Sequence, residues 1–293
     1  MDEAINVLTI DVEDWFHLID VPVPDFGPAR WARLPSRVAD GTHRLMDLLQ
    51  DAGAGATFFV LGWVAERHPA LVAEVRARGF EVCSHGWGHE PVPRLGRDAF
   101  EADLQRSVEA ITAACGVRPA GYRAAGFSIT SRTPWAFEVL VAHGFTHDSS
   151  VAPGRIGHEG WPTRRRAPFT LVTSCGDLVE FPLASVDFFG RPLSVGGGGY
   201  LRLLPGAVVR AAVRRINGRG EPATIYVHPR DLDTGQPRLQ GLPLARTLRS
   251  YLNIGGTAAK LRALLRAFRF TSIAGFLSDP GRRAHIAAAR EAA

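Results

Sequence analysis

Short apolar runs alternate with longer amphipathic stretches along most of this chain. The short runs have the length of buried strands, and the longer stretches repeat apolar side chains every three or four positions, as helices with one buried face do. The predicted strands are residues 6–10, 56–61, 80–83 and 224–227. The predicted helices are residues 40–50, 69–78, 98–115 and 134–143. Strands that alternate with helices predict an α/β fold built on a parallel sheet.

Two of the predicted strands lead into side chains that bind metals. The segments are TIDVEDWFH at residues 9–17 and SHGWGH at residues 84–89. The first offers the carboxylates of Asp11, Glu13 and Asp14, and the second offers the imidazoles of His85 and His89. One carboxylate and two imidazoles are a common ligand set for zinc, and they leave a fourth position open for water or substrate. The pattern predicts a catalytic metal site.

Each of these side chains also has a plainer interpretation. A carboxylate at a strand end is often a helix cap or a solvated loop residue. Gly86 and Gly88 indicate a loop around the two histidines, so helical spacing cannot be assumed for them. Two further segments favour the metal site. They are GYRAAGF at residues 121–127, which contains Arg123, and IYVHP at residues 225–229, in which His228 ends an apolar strand.

These four segments, in this order, resemble the polysaccharide deacetylases of the NodB homology type, carbohydrate esterase family 4. The resemblance covers residues from about 5 to 230 and implies a distorted, incomplete (β/α) barrel with its active site at the carboxyl ends of the strands. Later segments resemble the branch associated with exosortase-linked exopolysaccharide clusters. They lie at residues 180–183, 196–205, 228–233 and 236–239. We therefore expect one domain over residues 1–293, with 231–293 as a C-terminal helical extension.

The resemblance also implies catalytic roles. Asp11 would be the base, Arg123 would pair with it, and His228 would protonate the departing amine. A carboxylate such as Asp148 is expected to hold the pKa of His228 near working pH. The backbone N–H of Gly126 is expected to bind the oxyanion. A divalent metal, with zinc preferred, would be held by His85 and His89 and one carboxylate.

The identity of that third ligand is open. The commoner family pattern has two adjacent aspartates, whereas Val12 and Glu13 separate Asp11 from Asp14 in this chain. Strand alternation would put Glu13 on the same side as Asp11, but a turn after Val12 would bring Asp14 inward. We expect Asp14 to be the ligand.

Charge is distributed unevenly. Residues 201–293 contain 16 Lys plus Arg against 5 Asp plus Glu, whereas residues 1–200 contain 18 against 24. Such a basic segment can attract an acidic polymer, anionic lipid or nucleic acid. Residues 258–270 predict an amphipathic helix, which could lie on a membrane surface but is better interpreted as packing on the domain. Arg230 stands where the resembling branch commonly has an aromatic residue, so different substrate contacts are expected there.

Cysteine usage and the N-terminal sequence indicate a cytoplasmic protein. Three cysteines without a Cys-x-x-Cys pair predict neither a disulfide framework nor a zinc ribbon, and strand alternation predicts that Cys83 is buried. The chain enters a strand by Ile5, which leaves no room for a secretory signal. The longest apolar run, residues 56–65, is far shorter than the ~20 residues that span a bilayer.

We therefore expect a metal-dependent hydrolase that removes N-acetyl groups from sugars of an exopolysaccharide or its precursor. Its expected partner is an N-acetylated glycan or a lipid-linked oligosaccharide, without nucleic acid, and a peripheral membrane contact through the basic C-terminal region stays open. Two alternatives are another hydrolase of amides or cyclic amides on the same scaffold and a glycan-binding protein that has lost catalysis. Candidates for every catalytic role make the second alternative the least favoured.

Overall fold

The computed structural model describes residues 4–19, 21, 26–153, 161–188 and 191–293. The strands are β1 (Ile5–Val12), β2 (Thr57–Val60), β3 (Glu81–Ser84), β4 (Gly121–Tyr122), β5 (His147–Asp148), β6 (Phe169–Thr173), β7 (Gly176–Glu180), β8 (Ser185–Phe188), β9 (Arg191–Ser194), β10 (Thr224–Val227), β11 (Arg269–Thr271) and β12 (Arg290–Ala292). The helices are α1 (Pro28–Trp31), α2 (Val38–Asp51), α3 (Gly62–Arg67), α4 (Pro69–Ala77), α5 (Val92–Cys115), α6 (Trp135–Ala142), α7 (Gly199–Leu203), α8 (Gly206–Asn217), α9 (Leu244–Tyr251), α10 (Ile254–Ala267), α11 (Ile273–Leu277) and α12 (Pro280–Ala288). Short 3-10 helices lie at Ala125–Phe127 and Pro229–Leu232.

One sheet contains ten of these strands. Its order is β10-β1-β2-β3-β4-β5-β7-β6-β12, with β11 paired to the first residues of β1. Its ladders are parallel, apart from the antiparallel pair of β6 and β7. Beyond β7, the N–H of Ala184 donates to the carbonyl of Thr224 on β10 at 3.0 Å, which brings the two sides of the sheet together without a ladder between β7 and β10 in the part of the chain described. This arrangement confirms the predicted distorted, incomplete (β/α) barrel.

Most of the predicted elements are present. The predicted strands are β1, β2, β3 and β10, the predicted helices are α2, α4, α5 and α6, and Cys83 is fully buried as expected. One prediction was wrong, because residues 258–270 do not form a single helix: α10 ends at Ala267 and β11 begins at Arg269. Pairing with β1 is the reason, since Phe270 lies opposite Asn6 in that ladder and is buried.

The main hydrophobic core lies between the sheet and several of the helices that follow its strands. Leu8 and Ile10 of β1 and Phe58 of β2 are fully buried in this core. Leu261 and Leu264 of α10 belong to the same core, so the apolar stripe of that segment packs onto the domain. Of the helices that the structure describes, none combines the length and the apolar character that crossing a bilayer requires. The assignment of 231–293 as an extension of a single domain stays a prediction.

Helix α2 packs closely against the 3-10 helix that follows β10. A Cβ added at Gly41 of α2 would lie 2.6 Å from the carbonyl oxygen of Pro229, which is closer than real Cβ atoms come to backbone. The absence of a side chain at Gly41 therefore permits the approach that supports the residues after β10.

We predict that Gly41→Ala lowers the free energy of unfolding by about 1–3 kcal/mol, because overpacking outweighs the better helix propensity of alanine. Gly255→Ala in α10 is the matched control, since its added Cβ would meet only Thr234 Cγ2 at 3.7 Å. The control is expected to leave stability unchanged or to raise it by up to about 1 kcal/mol. Urea unfolding of the three proteins measures both effects, and equal stability of Gly41→Ala and wild type would contradict the prediction.

Candidate active site

Polar side chains gather where the parallel strands end. Asp11 lies near the end of β1, and His85, Arg123 and His228 directly follow β3, β4 and β10. Because parallel strands end at the same edge of their sheet, these residues meet there. A cavity of about 470 Å³ opens at this edge, and Asp11, Glu13 and His228 line it.

Glu13, His85 and His89 form a compact group at the bottom of the site. Glu13 Oε1 lies 3.2 Å from His85 Nε2 and 3.0 Å from His89 Nε2, and all three side chains are buried. His85 Nδ1 donates to the carbonyl of Arg123 at 2.7 Å, which leaves Nε2 as the nitrogen with a free lone pair. A second hydrogen bond of this kind orients many metal-binding histidines.

The loop that carries the histidines is held by Asp103. The N–H groups of Trp87 and Gly88 donate to its two carboxylate oxygens at 2.7 and 2.8 Å. Within this loop His89 has a positive φ of 53°, so the two histidines approach each other without helical geometry. The four-residue spacing thus reflects a tight loop, as the two glycines indicated.

The electrostatics of the group fit a cation. Burial alone would raise the pKa of Glu13, but the charges of His89 and His228, together with the polar contacts to His85 and His89, hold it well below its usual value. His89 Nε2 is buried and, despite its proximity to Glu13, makes no hydrogen bond of good geometry with any described residue. A carboxylate and two imidazole nitrogens, all within 4.8 Å of one another, could hold a divalent metal.

Asp14, the preferred third ligand from the sequence, is used elsewhere. Its carboxylate accepts hydrogen bonds from Ser36 Oγ at 2.5 Å and from the N–H groups of Arg37 and Val38 at 3.0 and 3.3 Å. It therefore caps the first turn of α2 from outside the helix. β1 continues to Val12, so strand alternation brings Glu13 rather than Asp14 to the side of Asp11.

Arg123 pairs with Asp11 as expected. Its Nη1 lies 2.7 Å from Asp11 Oδ1 and 2.8 Å from Thr9 Oγ1, while Nε and Nη2 donate to the carbonyl and hydroxyl of Ser149. The guanidinium also lies over the ring of Phe59, 4.3 Å from its centroid. These contacts fix the orientation of the Asp11 carboxylate.

His228 is oriented by Asp231 and not by Asp148. Its Nδ1 donates to Asp231 Oδ2 at 2.9 Å, and its Nε2 faces Asp11 Oδ2 at 3.8 Å and Glu13 Oε1 at 3.9 Å. Burial lowers the pKa of His228 to about 4, although the carboxylates of Glu13 and Asp11 oppose this effect. The imidazole is therefore neutral near pH 7 in the metal-free chain.

Asp148 has a different partner from the one expected. It lies opposite Glu180 in the pairing of β5 with β7, and its oxygens accept from Ser150 N at 2.7 Å and Ser150 Oγ at 2.8 Å. Burial, and then the charge of Asp148, raise the pKa of Glu180 well above its usual value. Glu180 Oε2 lacks a donor among the described residues, and the pKa of Asp148 is raised by burial as well, so we expect the two carboxylates to share one proton.

Several cavity residues were missing from the sequence-based site. Gly126 and Arg230 line the cavity as expected, but so do His17, Arg202 and Arg246, among other residues. His17 Nδ1 accepts from the N–H of Asp14 at 3.0 Å, and its buried Nε2 has no partner among the described residues. Asp231 was also missing, although the sequence contained an indication of its role. It follows His228 by three residues, and a 3-10 turn at this point brings the two side chains together.

Comparison with known proteins finds similarity in both halves of the chain. Residues 25–147 match the model of the family named Polysaccharide deacetylase. Over these residues the chain is similar to polysaccharide deacetylases. Residues 149–278 match a second model, Domain of unknown function (DUF3473), which includes His228 and Arg230. The exosortase-linked branch stays a prediction.

The individual relatives match only part of this chain. A chitooligosaccharide deacetylase of Rhizobium leguminosarum bv. trifolii is 36% identical over 74 residues, which are 25% of this chain and 34% of that protein. A peptidoglycan deacetylase of Helicobacter pylori is 32% identical over 111 residues, 38% of this chain and 37% of the relative. The chain thus spans about a third of the length of these curated relatives.

The fold match is more extensive. The crystal structure of a Mycobacterium smegmatis protein described as a polysaccharide deacetylase superimposes with a TM-score of 0.65 at 22% identity, covering 99% of this chain and 94% of that one. At this identity the match establishes the fold only. The two chains therefore share their overall fold.

The capping contacts of Asp14 predict a structural role. We expect Asp14→Ala to lower the free energy of unfolding by about 1–3 kcal/mol, since it removes the acceptor for several N–H and O–H groups at the start of α2. Asp40→Ala, at an exposed position in the first turn of the same helix, is the matched control and should cost less than about 0.5 kcal/mol. Chemical denaturation compares the two, and equal losses would refute the capping role.

The buried pair of Asp148 and Glu180 predicts a pH-dependent stability. Because the pKa of Glu180 is raised on folding, the folded chain binds more protons than the unfolded one above pH 4.5, and stability is lost as pH rises from there toward the folded pKa. Glu180→Gln keeps an acceptor for Val151 N–H without the ionisation. Its stability relative to wild type should therefore increase between pH 5 and pH 9. Glu109→Gln, exposed on α5, is the control, and a pH-independent difference for Glu180→Gln would contradict the shared proton.

Proposed function

We propose that this protein is a metal-dependent deacetylase that removes acetyl groups from N-acetylated sugars of a glycan. The observation that carries the proposal is the arrangement of Glu13, His85 and His89 between two oriented groups, Asp11 on Arg123 and His228 on Asp231. The chitooligosaccharide and peptidoglycan deacetylases that match parts of the chain support the same reaction class.

Glu13, His85 and His89 would hold the metal, for which zinc is our preferred candidate. Glu13 replaces Asp14 in this proposal because its carboxylate contacts both imidazoles. A bound divalent metal supplies an acidified water and polarises the carbonyl of the acetamide. His85 Nδ1 donates a hydrogen bond to the Arg123 carbonyl, and this bond orients the imidazole so that Nε2 faces the Glu13 carboxylate.

Asp11 and His228 would move the proton. Asp11, held by Arg123, takes a proton from the attacking water through its free Oδ2. His228 is neutral near pH 7, so it must receive a proton before it can give one, and Asp11 Oδ2 is 3.8 Å from its Nε2. Asp231 stabilises the resulting imidazolium through Nδ1, and Nε2 then protonates the departing sugar amine.

Gly126 remains our candidate for the oxyanion donor, because it lines the cavity beside these residues. We propose as substrate an exopolysaccharide or its precursor, supported by the resemblance of the later segments to the exosortase-linked branch. The cytoplasmic location stays a prediction.

The first test is the metal content of protein prepared without chelators or a histidine tag. We expect about one metal per wild-type chain, loss of that metal in His89→Ala and Glu13→Gln, and retention in Asp14→Ala. Retention by Glu13→Gln together with loss in Asp14→Ala would reverse the ligand assignment. Wild-type protein that stays metal-free after supplementation with zinc, cobalt and manganese would overturn the metal-dependent mechanism.

Acetate release tests the reaction itself. On chitooligosaccharides, Asp11→Asn should keep its metal and lower kcat by about 10²–10⁴-fold, as the loss of a general base does. Undiminished turnover in Asp11→Asn would show that Asp11 is not the general base. Release from small amides with none from acetylated glycans would favour the alternative amide hydrolase, and sugar binding without any acetate release would favour a binding protein.

A further inference from the structure

We propose that the active-site cavity contains an anion subsite centred on Arg230, so that the preferred substrate is an acidic glycan with an oxyanion close to the N-acetylated sugar. This inference rests on the proposed function for the identity of the glycan. The subsite itself rests on the burial, the contacts and the position of Arg230.

Arg230 is a buried cation with no counterion among the described residues. Its side chain lines the cavity, and the residue is only 8% exposed. Its Nε has no hydrogen-bond partner, and its guanidinium forms no ion pair with any residue that the structure describes. Removing a charge from water is costly unless an opposite charge or good acceptors replace the water. A ligand oxyanion in the cavity would supply both.

Two further guanidiniums line the same cavity. Arg202 of α7 is ion-paired with Asp231, the carboxylate that orients His228. Arg246 of α9 comes from the basic C-terminal region. Burial lowers the pKa of Arg230; the charge of Glu13 opposes this effect, and the nearby Arg246 adds to it. Such a cluster is most stable when an anion lies between its members.

The two acidic side chains in the described lining of the cavity already have partners. Asp11 pairs with Arg123, and Glu13 lies between His85 and His89. Neither lies within ion-pair distance of Arg230 in the described structure. A neutral sugar could give hydroxyl acceptors to Arg230 but no charge, so the cavity favours an acidic substrate over a neutral one.

The position of Arg230 relates this anion to the scissile group. Arg230 follows His228 by two residues in the 3-10 helix after β10, and both side chains line the cavity. The oxyanion would therefore lie next to the sugar whose amine His228 protonates. Two sources have this chemistry: the carboxylate of a neighbouring uronic acid and a phosphate at the reducing end of the acetylated sugar.

The experiment compares three probes: chitotetraose, which is neutral, a tetrasaccharide of alternating N-acetylglucosamine and glucuronic acid, and UDP-N-acetylglucosamine. Binding is measured by calorimetry to metal-loaded Asp11→Asn protein, with and without Arg230→Gln. We expect Arg230→Gln to weaken an acidic probe about 10–100-fold more than chitotetraose, because a charge-assisted contact is lost. The acidic probe with the larger loss identifies the source as carboxylate or phosphate.

Two further variants make the comparison specific. Arg230→Lys should restore part of the preference for the acidic probe, since it keeps the charge but not the planar fork of donors. Arg262→Gln, at an exposed position on α10, removes a positive charge outside the cavity and should leave the preference unchanged. Thermal unfolding shows that each variant is folded. Equal losses of affinity for acidic and neutral probes on Arg230→Gln would overturn the subsite. So would the absence of any preference for an acidic probe in Asp11→Asn protein that keeps Arg230.

Acetate release separates this inference from the proposed function. If acetate release depends on Asp11 and Arg230→Gln does not change the preference among probes, the deacetylase proposal stands and the anion subsite is overturned. If binding of an acidic probe depends on Arg230 but metal-loaded wild-type protein releases acetate from none of the probes, the anion subsite stands and the deacetylase proposal is overturned.

Discussion

The ion pair between Arg123 and Asp11 supports the whole site. Arg123 is completely buried and contacts β1 through Asp11 and Thr9 and the end of β5 through Ser149. Its carbonyl also accepts the hydrogen bond that orients His85. A buried guanidinium is tolerable only with its partners in place, so the strands that provide them must meet at this edge of the sheet. Arg123, which directly follows β4, thus connects β4 with β1 and β5 and contacts both the candidate base and a candidate metal ligand.

Three carboxylates at and just after the end of β1 have three different uses. Asp11 faces Arg123, Glu13 faces the two histidines, and Asp14 caps α2. The backbone links these uses, since Asp14, which holds the start of α2, is three residues from Asp11. α2 then packs with Gly41 against Pro229, directly after His228. The candidate acid and base are therefore supported by the same helix.

The second half of the chain supplies the other wall of the cavity. Asp231 orients His228 and is itself paired with Arg202, so the proton-transfer group is connected to α7. Lys260 of α10 donates to the carbonyls of Leu201, Arg202 and Leu204 at 2.7–3.0 Å, which ties the C-terminal region to α7. Residues far from the candidate metal group thus hold the cationic side of the cavity in place. The basic character of this region is in part a property of the cavity lining and not only of the outer surface.

The sequence by itself determined the alternation of strands and helices, the edge of the sheet at which the site lies, and the pairing of Arg123 with a carboxylate of the first strand. The alternation and the position of the site follow from periodicity and from the rule that parallel strands end together, which are local or nearly local properties. The pairing of Arg123 was predicted only from the resemblance of its segment to the polysaccharide deacetylases. Tertiary structure decided which carboxylate meets His85 and His89, because Asp14 is drawn to the N–H groups of α2. It also decided that Asp148 meets Glu180 and that Arg230 is buried with no counterion among the described residues, because strand register and long-range packing select partners that no short segment of sequence encodes.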